Sequence, residues 1–203
     1  SFMVQQVARR RKIEHLIHFT RVSNLTSILT NGIIPRSTLQ NNRIQFLHND
    51  DHRFDDREDR TCLSITSPNY KMFYPMRLNY PADDWAVIRL SPNILWELDC
   101  LFTETNAATR YIKDTPDNEL RGAVALEKLF AGEEMRQQLQ LNSYDTTDVQ
   151  AEVMVSGIIP PNYIIDLNFT SQNKIKNLVA LQAMAGAFPQ FPWKIRAQYF
   201  YQR

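Results

Sequence analysis

The sequence predicts an α+β fold built around one hydrophobic core. Short strand-like runs are interspersed with helical runs in an irregular order, which differs from the regular alternation of a βαβ array. The chain has 203 residues, of which 43% are hydrophobic and 22% charged. This length and composition are typical of one globular domain, which we expect to span residues 1–203. Ser1 and Phe2 precede a methionine, and we expect them to be residues of an expression vector.

The first half of the chain carries three strand patterns and two short helices. Strands are predicted at 13–19, 61–66 and 85–91. After the first strand, Ser23 is a suitable N-cap for a helix whose apolar residues share one face, and Gly32 is placed to end that helix. The charged segment 48–60 is expected to be a loop. Ser91 and Pro92 precede a second short helix.

The second half begins with a long helical pattern at 119–140, weakest at Gly132. A polar loop follows at 141–148. Further strands are predicted at 149–155, at 163–169 and from residue 193 to the end of the chain. A helix at 171–184, capped by Ser171, precedes the last strand.

The bulk properties exclude several classes of protein. The net charge is +1, so no global field indicates a nucleic-acid or membrane partner. No run of 18 apolar residues exists to cross a membrane, and two isolated cysteines favour a reducing compartment, so we expect a cytoplasmic protein without membrane contact. One disulfide remains an alternative. Glycine-rich phosphate motifs are absent, and His48 and His52 lack the glutamate of a zinc helix, so we expect no metal site.

Glu152 is the most informative carboxylate. If residues 149–155 form a strand, Val149 and Val153 face the core, while Gln150, Glu152 and Met154 share the other face. A glutamate on a solvent face is one interpretation. A functional carboxylate is the other, because a polar loop precedes an otherwise apolar strand.

Two other segments combine polar and aromatic residues at strand ends. His18 and Thr20 share a face of the first strand. His18 has two interpretations, a histidine at the edge of the core and a functional histidine, and the pattern leaves both open. Residues 64–77, "SITSPNYKMFYPMR", follow the second strand, where binding loops commonly lie. An aromatic core segment interrupted by Pro75 is the alternative, and the pattern alone favours it.

Three segments in this order resemble the DarT family of DNA ADP-ribosyltransferase toxins. Residues 16–35, "LIHFTRVSNLTSILTNGIIP", resemble the family's H-x-T element with its following helix and glycine. Residues 49–77 resemble its arginine-bearing loop and S-x-x-x-x-N-Y-K-M-F element. Residues 150–164, "QAEVMVSGIIPPNYI", resemble its late E-V-x-V strand. "TCLSITSPNYKMFY" is closer to the guanine-modifying branch than to the thymine-modifying branch.

The resemblance implies an ADP-ribosyltransferase fold, with a split, mostly antiparallel β core, surrounding helices and a central cleft for NAD+. It implies transfer of ADP-ribose from NAD+, without a metal, to a base in single-stranded DNA, guanine ahead of thymine. It also implies a partner antitoxin, DarG, whose macrodomain removes the modification. An acceptor in RNA or protein, or a nucleic-acid-binding module that has lost catalysis, are the alternatives.

The resemblance also assigns roles to individual residues. Glu152 takes the catalytic position, and Arg53 is expected to hold the NAD+ pyrophosphate or reacting end, with Arg57 and Arg60 as alternatives. The residues expected to bind NAD+ are His18, Phe19, Thr20, Asn24, Gly32, Ser64, Tyr70 and Lys71. The residues expected to recognise the substrate are Asn142, Ser143, Tyr144, Asp145, Thr146, Thr147, Asp148 and Gln150.

Single-stranded DNA requires a basic path with stacking platforms. Two stretches qualify, "ARRRK" at 8–12 and the aromatic, basic segment 188–203. For the second, a half-buried strand with outward charges is the favoured interpretation.

Overall fold

A seven-stranded sheet forms the centre of the computed structural model, which describes residues 2–41, 57–171 and 178–203. The strands are β1 (Leu16–Arg21), β2 (Arg60–Ile65), β3 (Trp85–Leu90), β4 (Cys100–Thr103), β5 (Glu152–Ser156), β6 (Ile164–Phe169) and β7 (Trp193–Ile195). Their order across the sheet is β4-β5-β2-β1-β3-β6-β7. Neighbours are antiparallel except β6 and β7, which are parallel. The predicted α+β fold with a mostly antiparallel sheet is confirmed.

Short helices surround this sheet in the described part of the chain. They are α1 (Phe2–Arg10), α2 (Leu25–Asn31), α3 (Arg36–Asn41), α4 (Tyr70–Asn79), α5 (Ile94–Glu97), α6 (Arg110–Lys113), α7 (Gly122–Lys128), α8 (Glu133–Gln138) and α9 (Leu178–Ala187). Short 3₁₀ turns lie at Val22–Asn24, Asp117–Leu120, Pro161–Tyr163 and Ala197–Phe200. No helix among the described residues is long and apolar enough to cross a membrane.

Both faces of the sheet are covered. On one face, alternate strand residues such as Leu16, Leu63 and Val153 pack with apolar residues of α1, α2, α7 and α9. On the other face, Ile17 and Val87 pack with residues of α4 and the carboxyl-terminal 3₁₀ turn. The remainder of this second face, on β4 and β5, lies against residues 107–120. Burial of alternating apolar residues on both sides therefore fixes the register of the central strands.

The sheet opens between its two central strands. β1 pairs with β3 along its whole length, from Leu16 to Arg21. It pairs with β2 only at Leu16 with Ile65 and at Ile17 with Ser64. The carboxyl half of β1 and the amino half of β2 therefore lie apart, which gives the split core that the resemblance implies.

Gly32 ends α2 as predicted, with a backbone φ of 87° that favours glycine. A Cβ at this position would clash with the carbonyl oxygen of Ile159, so the close approach of these two segments of the chain also requires glycine. Ser23 is not the N-cap. It lies within a 3₁₀ turn that leads directly into the helix, and Asn24 occupies the cap position.

Three predicted elements have different limits in the structure. The helix predicted at 119–140 is a 3₁₀ turn followed by α7 and α8, which are separated at Gly132, where φ is 87°. The strand predicted from residue 149 begins at Glu152, because the backbone N–H groups of Gln150 and Ala151 bond to Asp148 in a turn. The last strand ends at Ile195, and a 3₁₀ turn follows.

Other elements have weak signals in the sequence. The strand β4 and the helices α1 and α4 are absent from the sequence-based assignment, and α4 contains Pro75. Most of the charged loop predicted at 48–60, including the candidate zinc pair His48 and His52, lies outside the described residues. The helix predicted to begin at Ser171 adjoins residues 172–177, which are also outside them, and α9 follows.

Candidate active site

Glu152 occupies the first position of β5 and is only 7% exposed. Its Oε2 atom accepts a hydrogen bond of 2.9 Å from the backbone N–H of Ala107. Thr103 of β4 lies opposite Glu152, and Cys62 of β2 lies opposite Met154. The interpretation of this face as solvent-exposed is wrong, because residues 107–120 cover it and Met154 is fully buried.

The carboxylate of Glu152 is buried, so it depends on polar partners within the fold. A charged carboxylate loses solvation inside a protein, so it persists there only with hydrogen-bond donors or positive charge nearby. The register between β2 and β5, extended by one residue, places Ser64 beside Glu152 on the same face. Glu152 therefore lies at the start of β5, close to the point where β1 and β2 separate.

A loop held by side-chain hydrogen bonds, residues 142–148, leads into this strand. Arg136 of α8 is 5% exposed and holds the loop from inside. Its Nη1 atom donates to the carbonyl of Asp145 at 2.7 Å and to the hydroxyl of Thr147 at 3.1 Å. Its Nη2 atom donates to the carbonyl of Asn142 at 2.8 Å. One planar guanidinium therefore fixes three points of the loop.

Hydrogen bonds within the loop complete its structure. The Oδ2 atom of Asp145 accepts from the backbone and side-chain nitrogens of Asn142 at 2.9 and 3.2 Å. Thr146 donates through its hydroxyl to the carbonyl of Asp148, and Thr147 donates to that of Ala131. These side chains therefore hold the backbone of the loop in its conformation, in addition to forming part of its surface.

The loop is also joined to the end of β2 and to the carboxyl terminus. Thr66, which has a φ of 67°, donates through its hydroxyl to the carbonyl of Tyr144 at 2.9 Å. The Nε2 atom of His15 lies 3.1 Å from both the Thr66 carbonyl and the Tyr199 hydroxyl. Arg203 donates to the carbonyl of Thr146. Three distant segments, which contain His15, Thr66 and the carboxyl terminus, therefore meet at this loop.

A cavity of about 1010 Å³ lies between the loop and α4. Predicted site residues in its wall are Tyr70, Lys71, Asn142, Tyr144, Asp145, Thr147 and Asp148. Other wall residues include Lys12, His15, Tyr199, Gln202 and Arg203. Phenol rings and charged groups of both signs thus surround a space as large as a typical ligand site.

Comparison with known proteins identifies the family of this chain. The family model described as "ssDNA thymidine ADP-ribosyltransferase, DarT" matches residues 17–201. The chain belongs to the DarT family. It is therefore a member of a family of single-stranded-DNA ADP-ribosyltransferases. A search of curated protein sequences finds no match.

Solved DarT structures share the fold at low sequence identity. Thermus sp. 2.9 DarT in complex with carba-NAD+ is 15% identical, with a TM-score of 0.65, and 94% of this chain covers 99% of it. The same protein in complex with ADP-ribosylated ssDNA is 14% identical, with a TM-score of 0.53 and coverages of 94% and 97%. Thermosipho africanus DarTG in complex with ADP-ribose is 18% identical, with a TM-score of 0.61. In that case 93% of this chain covers only 51% of the relative, about half its length.

His18 lies at the split of this DarT-family sheet. Its ring is half-buried and bonds to the backbone of Cys62 on β2, which bridges the gap between the central strands. Burial lowers the pKa of His18 to about 4, and the Cys62 hydrogen bond only partly opposes this effect. The imidazole is therefore neutral near pH 7.

The other residues predicted to bind NAD+ have different exposures. Phe19 is partly exposed and stacks on Phe73, with ring centroids 4.4 Å apart. Thr20 is fully buried, and its hydroxyl accepts from the Asn24 amide at 3.2 Å. Gly32 lies at the end of α2, and Ser64 lies opposite Ile17 in the sheet. Of the NAD+ candidates, only Tyr70 and Lys71 line the cavity of about 1010 Å³.

The candidate arginine Arg53 lies outside the described residues. Its two alternatives have structural partners. Arg57 pairs with Asp117 at 3.1 Å and donates to the Thr115 carbonyl at 2.8 Å. Arg60 is 4% exposed and pairs with Asp99 at 3.1 Å. These contacts explain both arginines without a ligand, so Arg53 stays the prediction.

Several site residues have no distinguishing signal in the sequence. In the sequence, Arg136 is not distinguished from the other charged residues of the predicted helix. Its contacts with the loop depend on the break at Gly132, which begins α8. His15 and Tyr199 are 184 residues apart and become neighbours only through the fold. Asn69 does have a signal, because it begins the N-Y-K-M-F element. It is 3% exposed, and its amide atoms have no hydrogen-bond partner among the described residues.

Cys62 and Cys100 are free thiols, so the alternative of a disulfide between them is not realised. Within the described ranges, no group of three or more histidine, cysteine, aspartate or glutamate side chains could hold a metal ion.

Proposed function

We propose that this chain transfers ADP-ribose from NAD+ to guanine in single-stranded DNA and releases nicotinamide. The buried carboxylate of Glu152 carries the proposal. It lies at the start of β5, three residues after Val149, which lines the cavity. The membership of the chain in the DarT family, and the fold that it shares with NAD+-bound DarT structures, support this chemistry.

The reaction places two demands on the carboxylate. When the bond between the ribose anomeric carbon and nicotinamide breaks, the bonding electrons leave with nicotinamide and positive charge develops on the sugar. A nearby carboxylate stabilises that charge, as in glycoside cleavage. The attacking guanine nitrogen then bonds to the anomeric carbon and loses a proton, which Glu152 can accept. Nicotinamide leaves as a neutral molecule, so one carboxylate suffices.

The split between β1 and β2 is the proposed NAD+ cleft. Neutral His18 is suited to hydrogen-bond a ribose hydroxyl, and Ser64 lies on the same face as Glu152. Tyr70 is proposed to stack on nicotinamide, with Lys71 and Arg53 near the phosphates. The buried amide of Asn69, unpaired within the described part of the chain, is available to a polar ligand at this end of β2.

The loop 142–148 is proposed to select the acceptor base. The loop lines the cavity and leads to β5, the strand that begins with Glu152. Guanine is proposed over thymine on the segment "TCLSITSPNYKMFY", which resembles the guanine-modifying branch, although the matching family model is named for thymidine.

The biological role is proposed to be that of a toxin that blocks replication and is neutralised by a DarG-like macrodomain antitoxin. The support is the fold shared with part of the Thermosipho africanus DarTG chain.

The decisive experiment offers NAD+ and single-stranded oligonucleotides that each lack one base, with mass spectrometry of the products. We expect an ADP-ribose adduct on every oligonucleotide that contains guanine and none on the one that lacks it. An adduct that requires thymine would overturn the choice of base. Modification of RNA or protein, with no DNA adduct at all, would overturn the proposed acceptor.

The Glu152→Gln variant tests the catalytic assignment. We expect its rate of adduct formation to fall by roughly 10²- to 10⁴-fold, because the amide can neither accept the proton nor offset positive charge. Glu134→Gln, at an exposed position of α8, is the matched control and should retain the wild-type rate. Circular dichroism should show that both variants are folded. A fully active Glu152→Gln protein would refute the assignment.

A further inference from the structure

An exposed face of α4 leads away from the cavity. Lys71, Tyr74 and Leu78 follow helical spacing and share this face. Tyr74 is 55% exposed and Leu78 is 60% exposed, whereas Phe73 on the opposite side is buried. A single exposed tyrosine is ordinary on a protein surface. Its surroundings decide whether this one has a role.

The carboxyl-terminal segment packs beside the same helix. Phe200 lies against Phe73, with ring centroids 5.4 Å apart, and its carbonyl accepts a hydrogen bond of 2.5 Å from Arg77. This contact places Tyr201, which is 61% exposed, at the side of α4. Two exposed phenol rings therefore come from segments more than a hundred residues apart.

Arg77 connects the two rings. Its guanidinium carbon lies 5.9 Å from the centre of the Tyr74 ring, and its hydrogen bond to the Phe200 carbonyl places it at the peptide bond that leads into Tyr201. The hydrogen bond to Phe200 and the contact with the Phe73 ring at 4.6 Å fix its position. Arg77 is thus half-buried against Phe73 and Phe200, with the exposed ring of Tyr74 beside it. An arginine next to exposed aromatic rings is typical of surfaces that stack nucleic-acid bases.

The charge of both segments favours a polyanion. Residues 70–79 and 193–203 contain Lys71, Arg77, Lys194, Arg196 and Arg203, and no aspartate or glutamate. Arg196 is paired with buried Asp166, so the others supply the charge at the surface. This local excess contrasts with the net charge of +1 for the whole chain.

The surface is continuous with the proposed active site. Tyr70 and Lys71 at the start of α4 line the cavity, as do Gln202 and Arg203 at the chain end. Tyr74 lies one helical turn beyond the first pair, and Tyr201 directly precedes the second pair in the chain. A strand whose acceptor base entered the cavity would therefore pass over these rings.

We propose that Tyr74, Arg77 and Tyr201 form a stacking platform for the nucleotides that flank the acceptor base in single-stranded DNA. The proposal rests on the proposed function, because it presumes a single-stranded DNA acceptor. It also assigns the DNA path to the carboxyl-terminal segment rather than to "ARRRK", since Arg10 and Arg11 of that stretch pair with Glu127 of α7.

The test compares two oligonucleotides under steady-state conditions. The short one contains the acceptor base with a single neighbour on each side, and the long one extends further in both directions. We expect wild type to have a lower KM for the long oligonucleotide. Tyr74→Ala and Tyr201→Ala should each raise that KM by roughly tenfold, the scale of one lost base stack, and leave the KM for NAD+ and for the short oligonucleotide unchanged.

Two further variants control the result. Tyr74→Phe keeps the ring and should retain the wild-type KM for the long oligonucleotide. Phe2 of α1 is an aromatic residue that is 68% exposed, and Phe2→Ala should change none of these KM values. A wild type without preference for length, or a Tyr74→Ala, Tyr201→Ala double variant that keeps this preference, would overturn the platform alone. A wild type that modifies neither oligonucleotide would overturn the proposed function itself.

Discussion

Two histidines beside the split sheet are held neutral by their surroundings. Burial is the main cause of the lowered pKa of His15, and the positive charge of Arg89 adds to it. Burial also lowers the pKa of His18 to about 4. A neutral imidazole can donate and accept hydrogen bonds without placing a charge beside a cationic substrate, which suits the proposed contact of His18 with a ribose hydroxyl.

The low pKa of His18 predicts a loss of stability in acid. In the unfolded chain His18 takes up a proton near pH 6.5, whereas in the folded protein it does so near pH 4. The unfolded state therefore binds more protons as the pH falls from 7 to 4, and the free energy of unfolding should decline by up to roughly 3 kcal/mol. Below about pH 4 this contribution should level off.

Urea unfolding of wild type and His18→Gln across this range measures the effect. The variant has no group to protonate at this position, so its free energy of unfolding should depend less steeply on pH. His15 is present in both proteins and contributes equally to both. Equal slopes for the two proteins between pH 7 and 4 would contradict the assignment.

At the scale of elements, the loop 142–148 explains how a surface segment keeps a defined shape. The residues Asn, Ser, Asp and Thr predict a polar loop, and a loop is found. Its rigidity could not be predicted, because it depends on carbonyl groups that accept from Arg136 and Thr66. The same limitation applies to the start of β5, where the backbone bonds to Asp148 shorten a strand that the apolar pattern extends to residue 149.

Arg136 is predicted to be a positioning residue for this loop. Arg136→Met keeps most of the side-chain volume but leaves the carbonyls of Asn142 and Asp145 without their donor. We expect kcat for DNA modification to fall by about 10²-fold through misplacement of the loop, with an unchanged KM for NAD+. Arg136→Lys, which keeps the charge but not the planar fork, should lie between this variant and wild type.

Hydrogen exchange separates this role from general destabilisation. In Arg136→Met the amides of residues 142–148 should exchange faster, while those of β1 and β3 should not change. Arg110→Met, in which a 97% exposed arginine side chain is replaced, is the control. Faster exchange throughout the sheet, or a normal kcat with a flexible loop, would argue against positioning.

At the scale of the whole molecule, the site depends on segments that the sheet brings together from both ends of the chain. Apolar patterns predict most of the strands, but no local pattern gives their order or the opening between β1 and β2. The resemblance of three separated motifs predicts the split core. It also points to the Glu152 strand, the loop before it and the start of α4, which the fold brings near one another. It gives no indication of the carboxyl terminus, whose residues Tyr199 and Arg203 complete the cavity.

A buried ionic network attaches that terminus to the sheet. Asp166 of β6 is 1% exposed and accepts two hydrogen bonds from Arg89, at 2.9 and 2.7 Å. It also accepts from Arg196 at 3.0 Å and from Asn168 at 2.8 Å. Burial alone raises the pKa of Asp166, but the hydrogen bonds from Arg89, Asn168 and Arg196 outweigh it, so the net pKa is lowered. The carboxylate is therefore charged at neutral pH.

Asp166→Asn should lower the free energy of unfolding and loosen the carboxyl-terminal segment that is proposed to bind DNA. A neutral amide leaves Arg89 and Arg196 without a counter-charge, and breaking a buried pair in this way costs about 3–5 kcal/mol of unfolding free energy. Because the folded pKa of Asp166 is lowered, its contribution is present above the ordinary carboxyl range and is lost in acid. The difference between wild type and variant should therefore be largest near neutral pH and shrink as the pH falls. Asp114→Asn, in an exposed pair with Arg110, should change the free energy of unfolding by almost nothing.

If Arg196 anchors the terminus, the amides of residues 193–203 should also exchange faster in Asp166→Asn under conditions where the protein remains folded. An unfolding free energy equal to that of wild type at pH 7 would show that the network does not stabilise the fold. Unchanged exchange of residues 193–203 would show that it does not hold the terminus in place.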